Sequence, residues 1–78
     1  MPNIPAIKGK ELKKFCRDMG FKVIRQKGSH VRMRHEDGRV TTIPIHSGKD
    51  IPKGLLRKII KEDLELSLEN FIAEYLEL

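Results

Sequence analysis

The sequence predicts a small α+β domain in which one helix precedes a three-stranded antiparallel sheet and a second main helix follows it. Three patterns favour this order. Apolar residues recur at helical spacing in residues 10–19, apolar and polar residues alternate around two glycine-containing turns in residues 21–46, and a second apolar helical stripe occupies residues 51–61. A chain of 78 residues is expected to form one domain, residues 1–78, with both main helices on one face of the sheet.

Local signals mark the ends of the helices. Gly20 follows the first apolar stripe, where a left-handed C-terminal cap is expected. Pro52 suits the first turn of the second helix, whereas Gly54 in the same turn lowers helix stability without a packing reason visible in the sequence. Ser67 is the expected N-cap of a third helix, which is acidic.

Three short strands are predicted, at residues 21–26, 30–35 and 39–45. Between the last two, a two-residue turn would set apolar residues opposite polar ones, whereas a three-residue loop with a left-handed Gly38 sets Val31 opposite Ile43. The longer loop is therefore the predicted register, because a slip of one residue would turn the apolar set away from the core. The same alternation of inward and outward residues predicts residues 27–29 as the first hairpin loop, with Gln26 opposite His30.

This register assigns side chains to the two faces of the sheet. The face toward the helices is predicted to contain Phe21, Val23, Val31, Met33, Thr41, Ile43 and Ile45. The outward face is predicted to contain Lys22, Ile24, Gln26, His30, Arg32, Arg34, Val40, Thr42, Pro44 and His46. Two imidazoles then share the outward face as diagonal neighbours, about 7–8 Å apart between backbones, while His35 points to the edge of the core.

Charge is divided unevenly along the chain. Residues 1–61 contain all 16 Lys and Arg and have a net charge of +11, residues 62–78 have −6, and the total is +5. A basic body of this kind favours a polyanionic partner such as RNA, although a solvated basic surface is the alternative. The acidic segment either folds against the basic body or takes part in a dimer, and both possibilities remain open here.

Composition argues against several classes of protein. The lone Cys16 excludes an internal disulfide and, on the apolar stripe of the first helix, indicates a buried structural thiol. No apolar run approaches the roughly 20 residues of a membrane span, and residues 1–5 lack the form of a signal peptide, so a cytoplasmic protein is expected. Few carboxylates occur in the sheet, and the three histidines are split between its faces, so neither a metal site nor a cofactor is predicted.

The triplet Gly28-Ser29-His30 points most directly to chemistry. A histidine ordinarily titrates near neutral pH, and one that shares a strand face with Arg32 and Arg34 is suited to proton transfer at a phosphodiester. His30 is therefore the candidate catalytic base or acid, and His46 is the candidate for the complementary role. The candidate RNA-binding and phosphate-binding residues are Lys27, Gly28, Ser29, Arg32, Arg34 and Lys49. The plainer alternative is a solvent-exposed histidine beside a turn that the glycine and serine shape.

Metal-free RNA cleavage makes three demands on a protein. A base removes the proton of the ribose 2′-hydroxyl, an acid protonates the departing 5′-oxygen, and positive charge stabilises the phosphorane-like transition state. Such a reaction leaves a 2′,3′-cyclic phosphate and a 5′-hydroxyl, and it persists in EDTA. Because aromatic residues for stacking bases are few, strong sequence selectivity is not expected.

The predicted element order resembles that of double-stranded-RNA-binding domains, and particular motifs narrow the resemblance to the HicA (YcfA-like) mRNA interferase toxins over about residues 7–71. The segments that carry it are Lys27-Gly28-Ser29-His30, Asp37-Gly38-Arg39, Pro44-Ile45-His46, Gly48-Lys49-Asp50-Ile51 and Lys53-Gly54-Leu55-Leu56-Arg57-Lys58-Ile59. The chain departs from the usual family pattern at Val40, Thr41 and Leu55.

The resemblance implies a ribosome-independent endoribonuclease that is toxic when free. It also implies that His30 is the functional histidine and that a HicB-like antitoxin neutralises the enzyme by covering this residue. The alternatives are a non-catalytic RNA-binding module and a domain that only binds an acidic protein partner. Whether the chain forms a homodimer or a heterotetramer with the antitoxin is left open.

Overall fold

The structure, a computed structural model, describes residues 3–77 and has the predicted α+β architecture. The helices are α1 (Gly9–Met19), α2 (Lys53–Lys58) and α3 (Leu68–Glu77), and the strands are β1 (Lys22–Lys27), β2 (His30–Arg34) and β3 (Val40–Pro44). Both strand pairs are antiparallel, in the order β1-β2-β3. This helix, sheet and helix order confirms the predicted double-stranded-RNA-binding-like fold. The predicted domain bounds, residues 1 and 78, lie outside the described residues.

The predicted caps of α1 and α3 are confirmed. Gly20 adopts a φ of +108° after α1, and its N–H donates to the carbonyl oxygen of Arg17 at 3.0 Å. The Ser67 hydroxyl accepts the backbone N–H of Asn70 at 3.1 Å, as an N-cap of α3 does. Both caps satisfy backbone groups that a helix end leaves without an intrahelical partner.

The first turn of α1 packs closely against the end of β3. A Cβ at Gly9 would overlap the carbonyl oxygen of Pro44 and lie 2.9 Å from the Cα of Ile45, so only glycine permits this approach. Just before the helix, the carbonyl oxygen of Ile7 accepts the N–H of Ile51 at 2.8 Å. The segment just before α1 is thereby fixed against the segment that follows β3.

The hairpin of β2 and β3 has the predicted register. Val31 lies opposite Ile43 and Met33 opposite Thr41, and the connecting loop, residues 36–38, contains Gly38 with a φ of +100°. Burial alternates along β2, so that every second side chain enters the core and the others face outward.

The first hairpin differs from its predicted register by one residue. Its turn contains only Gly28 and Ser29, so Lys27 rather than Gln26 lies opposite His30. Gly28 has a φ of +58°, which fits a type II′ turn with glycine at its first central position. The predicted register was wrong here because it assumed that buried and exposed residues alternate along β1. All six residues of β1 are exposed.

A β-bulge in β1 also changes which residues face outward. Val23 lies opposite Met33 and Arg25 opposite Arg32, which leaves Ile24 unpaired at the irregularity. The predicted faces of β1 are therefore wrong beyond Ile24, which lines an outward concavity with Lys22 and Arg34.

Two side chains of β1 differ from their predicted positions, for different reasons. Gln26, predicted to face outward, lies opposite the buried Val31 and so shares the helix-side face. Val23, predicted to lie in the core, is 41% exposed, because β1 is an edge strand and α1 contacts β3 instead.

The helix after β3 is anchored to the sheet by polar contacts at its end. Here α2 continues directly into a π-helical turn, Ile59–Asp63. The Asp63 carboxylate accepts the hydroxyl of Thr41 at 2.9 Å, and the Leu64 carbonyl oxygen accepts Nη1 of Arg39 at 2.6 Å. Thr41 is 2% exposed, so this hydrogen bond satisfies a hydroxyl that would otherwise be buried without a partner.

The acidic helix α3 folds back onto α1 through aromatic side chains. The Phe15 and Phe71 rings meet edge to face at 4.8 Å between centroids, and Tyr75 stacks on Phe71 at 5.6 Å. None of the ion pairs in residues 3–77 involves α3. Apolar packing, rather than neutralisation of the basic body, therefore holds this helix. None of the helices described has the length and apolar character that a bilayer crossing requires.

We expect opposite effects from alanine at two helical glycines. Gly9→Ala should lower the free energy of unfolding by about 1–3 kcal/mol, because the new Cβ collides with backbone atoms of residues 44 and 45. Gly54→Ala should raise it by about 0.5–1 kcal/mol, because nothing lies within 4 Å of a Cβ there and alanine favours the helix. Urea unfolding followed by circular dichroism measures both, and equal effects would contradict the packing at Gly9.

Candidate nucleic-acid interface

The candidate catalytic histidine lies at one end of the open sheet face. His30 is the first residue of β2, is exposed, and lies opposite Lys27 of β1 and Pro44 of β3. The burial alternation of β2 sends the following residue, Val31, into the core, so the imidazole points away from the helices. The outward placement predicted for His30 is therefore what the backbone register produces.

The loop after β3 is held beside the β1–β2 turn at the same end of the sheet. The N–H of Ile45 donates to the carbonyl oxygen of Ser29 at 2.6 Å. His46 follows immediately, beyond the end of β3, in a turn where the N–H of Lys49 donates to the His46 carbonyl oxygen at 3.0 Å. Both His46 and Lys49 are exposed. Because the turn that contains Ser29 directly precedes His30, this hydrogen bond brings two backbone segments together. Between them they contain four predicted site residues, which are Ser29, His30, His46 and Lys49.

Six side chains form what we call the cation ladder on the outward face of β1 and β2. Each outward residue of β2 lies opposite a lysine or arginine of β1. The three rungs are Lys27 with His30, Arg25 with Arg32, and Lys22 with Arg34. Cross-strand partners share a face, with Cβ atoms about 4.5–5.5 Å apart. All six residues are exposed, and none takes part in an ion pair within residues 3–77.

The structure places Arg25 among these residues although the sequence analysis does not. Strict alternation from Lys22 puts Ile24 and Gln26 on the outward face and Arg25 on the opposite one. The bulge shifts the alternation by one residue, so that Arg25 and Lys27 face outward and Gln26 does not. Cations at positions 22, 25 and 27 do not fit a period of two. They do fit one face of a strand that contains a single extra residue, so their spacing is the sequence signal that could have indicated the bulge.

His35, the third histidine, has a structural role. Its half-buried ring lies edge-on to Phe21 at 5.2 Å between centroids. Its Nε2 lies 3.1 Å from the carbonyl oxygen of Met19, and its Nδ1 accepts the N–H of Asp37 at 3.1 Å. Nδ1 also lies 3.2 Å from Oδ1 of Asp37, so both ring nitrogens have polar partners. The prediction that His35 lies at the edge of the core is confirmed.

The loop between β2 and β3 uses its carboxylate internally. Asp37 accepts the backbone N–H of Arg39 at 3.0 Å and Nε of the same residue at 2.8 Å. These hydrogen bonds, the backbone one foremost, hold the pKa of the Asp37 carboxyl below its usual range. Across residues 3–77, no group of three or more histidine, cysteine and acidic side chains is placed to hold a metal ion.

Cys16 has the environment of a structural thiol, as predicted. Its side chain is fully buried, and this burial raises the pKa of the thiol to about 12. A thiol that stays protonated at neutral pH is a poor nucleophile. The chemistry of this surface therefore does not involve the cysteine.

One comparison with known protein families identifies a relationship. A family model described as HicA toxin of bacterial toxin-antitoxin matches residues 9–63. The matched region runs from the first residue of α1 to the last residue of the π-helical turn, so it contains the whole sheet and the cation ladder. A search of the curated proteins finds no match.

The buried thiol should resist alkylation in the folded protein. Because only the thiolate reacts, we expect Cys16 to stay unmodified by iodoacetamide at about pH 8 and to react fully once guanidinium unfolds the chain. Mass spectrometry of samples quenched over time measures the modification. Rapid labelling of the folded protein would contradict both the burial and the raised pKa.

Proposed function

The chain belongs to the HicA toxin family of bacterial toxin–antitoxin pairs, and from that premise we propose that it is a metal-independent endoribonuclease that cleaves mRNA. The observation that carries this proposal is the exposed imidazole of His30 at the end of the cation ladder. A proton-transfer group beside unneutralised cations is what phosphodiester cleavage without a metal requires. The family match supports the toxin role, and this geometry supports the RNA chemistry.

The reaction is an attack of the ribose 2′-hydroxyl on the adjacent phosphorus. A base takes the 2′-hydroxyl proton, the bond from phosphorus to the 5′-oxygen breaks, and an acid protonates the departing oxygen. We assign one of these two roles to His30 and propose His46 for the other, since the loop that contains it is fixed beside the β1–β2 turn. The products are a 2′,3′-cyclic phosphate and a 5′-hydroxyl.

Positive charge for the transition state comes from residues around His30. Lys27 lies directly opposite the histidine, and Arg32 lies two residues along the same face, so both are neighbours of the imidazole on the outward face. Lys49 approaches from the loop after β3. The Gly28-Ser29 turn contributes backbone N–H groups and a hydroxyl that suit a phosphate oxygen. Arg34, two rungs away, is assigned to substrate binding alone.

The proposed inhibitor is a HicB-like antitoxin that covers His30. A toxin family implies an antitoxin partner, and the exposed cations favour one with carboxylates at the contact. Such a partner blocks the enzyme by occupying the surface that the RNA needs. We propose a cytoplasmic setting for the pair, and assembly either as a heterotetramer or around a homodimer of the toxin.

A pair of histidine variants tests the catalytic assignment. His30→Ala should reduce cleavage of a defined RNA in EDTA by at least about 100-fold, because a general acid or base is lost, while folding and RNA affinity stay near wild type. His35→Gln should keep cleavage but lose about 1–2 kcal/mol of stability, because ring contacts to Met19 and Asp37 are lost. Gel assays with end analysis, together with urea unfolding, measure both variants.

Three outcomes would contradict the proposal. A 5′-phosphate at the cut would exclude the cyclic-phosphate mechanism, and loss of cleavage in EDTA would exclude metal independence. A wild-type protein that binds RNA without ever cutting it would instead favour the RNA-binding module.

A further inference from the structure

We infer that Lys22 and Arg25 are RNA-binding residues and that the cation ladder they complete holds successive phosphates of one unpaired RNA strand leading to His30. The inference rests on the proposed function and deepens it by naming the path of the substrate. Lys22 and Arg25 are the β1 members of the second and third rungs, beyond the Lys27–His30 rung where we place the chemistry.

The bulge in β1 is the first observation that carries this inference. With regular alternation, the outward residues of β1 would be Lys22, Ile24 and Gln26, which include a single cation. With the bulge, the β1 residues paired with the outward residues of β2 are Lys22, Arg25 and Lys27, so every paired position is cationic, and Ile24 is the unpaired extra residue beside Lys22. The irregularity thus converts a mixed strand face into a charged one, and bulges commonly re-aim side chains beside functional sites.

The electrostatics of the ladder favour an anionic ligand. Like charges directly opposite each other on a sheet lower its stability, and Arg25 opposite Arg32 and Lys22 opposite Arg34 are two such pairs. Within residues 3–77, the carboxylates form no ion pair with these four residues. Asp37 is bound by Arg39, and Glu36 lines the same shallow concavity as Lys22 and Arg34 without forming an ion pair. A site that keeps such repulsion is explained by a ligand that relieves it.

The dimensions of the ladder fit one strand of RNA. Rungs two residues apart on β2 are separated by about 6.7 Å, and the two strands lie about 4.8 Å apart. The ladder is therefore a strip about 13 Å long and one strand spacing wide. Its repeat is similar to the spacing of phosphates along an extended chain, and single-strand-binding proteins use such basic tracks. A duplex would present two backbones, on either side of a groove, to a wider surface.

The cationic residues on this part of the outward face belong to β1 and β2, which sets the direction of the track. On β3, the residues that continue the three rungs are Pro44, Thr42 and Val40, none of which is charged. Thr42 nevertheless helps to orient the middle rung, because its hydroxyl accepts Nη1 of Arg32 at 3.4 Å. The strand therefore follows the hairpin of β1 and β2 lengthwise, with the scissile phosphate at the His30 rung and the neighbouring phosphates at the other two.

The test measures binding of a single-stranded 2′-O-methyl RNA, which lacks the attacking hydroxyl and so cannot be cut. Fluorescence anisotropy between about 50 and 200 mM salt gives the affinity and its salt dependence. Arg25→Gln should weaken binding about three- to tenfold at low salt and reduce the slope of log K against log salt by about 0.7, the value of one phosphate contact on a single strand. Circular dichroism checks that each variant is folded.

Two further variants test whether RNA affinity depends on where the positive charge lies or only on the net charge of the protein. Arg25→Gln with Gln26→Arg restores the net charge but places the cation on the other face, since Gln26 lies opposite the buried Val31. This double variant should bind as weakly as Arg25→Gln. Lys61→Gln removes an exposed lysine from the helical layer, and its affinity should stay within about twofold of wild type.

The outcomes distinguish failure of the track from failure of the proposed function. Recovery of affinity in the double variant, or equal effects of Arg25→Gln and Lys61→Gln, would overturn the track while wild-type cleavage of ordinary RNA still supports the enzyme. Equal affinity for a duplex of the same sequence would overturn the single-strand assignment. Unchanged RNA affinity of Arg25→Gln together with weaker antitoxin binding would make the ladder a protein-docking surface instead. A wild-type protein that neither binds nor cuts RNA would overturn both proposals.

Discussion

The two faces of β2 are the constraint on which the site depends. Val31 and Met33 are fully buried under the helices, and they alternate with His30, Arg32 and Arg34 along the same strand. A shift of one residue would expose the two apolar side chains and bury an imidazole and two guanidinium groups, which is costly in both directions. Core packing therefore keeps the functional side chains in solvent, although none of them contributes to the core. A fold this small can thus present an ordered charged surface without a deep active-site cleft.

The two ends of the sheet are fixed by different kinds of contact. At the end that contains His30, backbone contacts dominate: Gly9 allows α1 to approach the end of β3, and Ile45 is hydrogen-bonded to the β1–β2 turn. At the other end, side chains of β3 and the loop before it reach the end of the π-helical turn, through Thr41 and Arg39. A site on elements held at both ends keeps its backbone positions fixed before substrate arrives, which catalysis by positioned acids and bases requires.

The distribution of charge connects the toxin to its proposed substrate and its proposed inhibitor. The acidic helix α3 packs on α1 through aromatic contacts, and within residues 3–77 the cations of the ladder form no ion pair with a carboxylate. The repulsion that remains on the sheet can be relieved by the phosphates of RNA or by the carboxylates of an antitoxin. Under the proposed function, the two therefore compete for one surface, and inhibition needs no conformational change in the toxin. The acidic helix packs on α1 in the helical layer, whereas the cation ladder lies on the outward face of the sheet.

The sequence by itself determined the parts of this protein that depend on nearby residues or on an apolar pattern. The caps at Gly20 and Ser67 are local, and the β2–β3 register followed from pairing apolar residues across a loop with a left-handed Gly38. The outward position of His30 followed from the same pattern. Only the tertiary structure decided the register of β1, because an exposed edge strand has no buried face to specify it and a bulge breaks its period. It also decided the contacts from Thr41 to Asp63 and from Arg39 to Leu64, because more than twenty residues separate each pair in the chain and only packing brings them together.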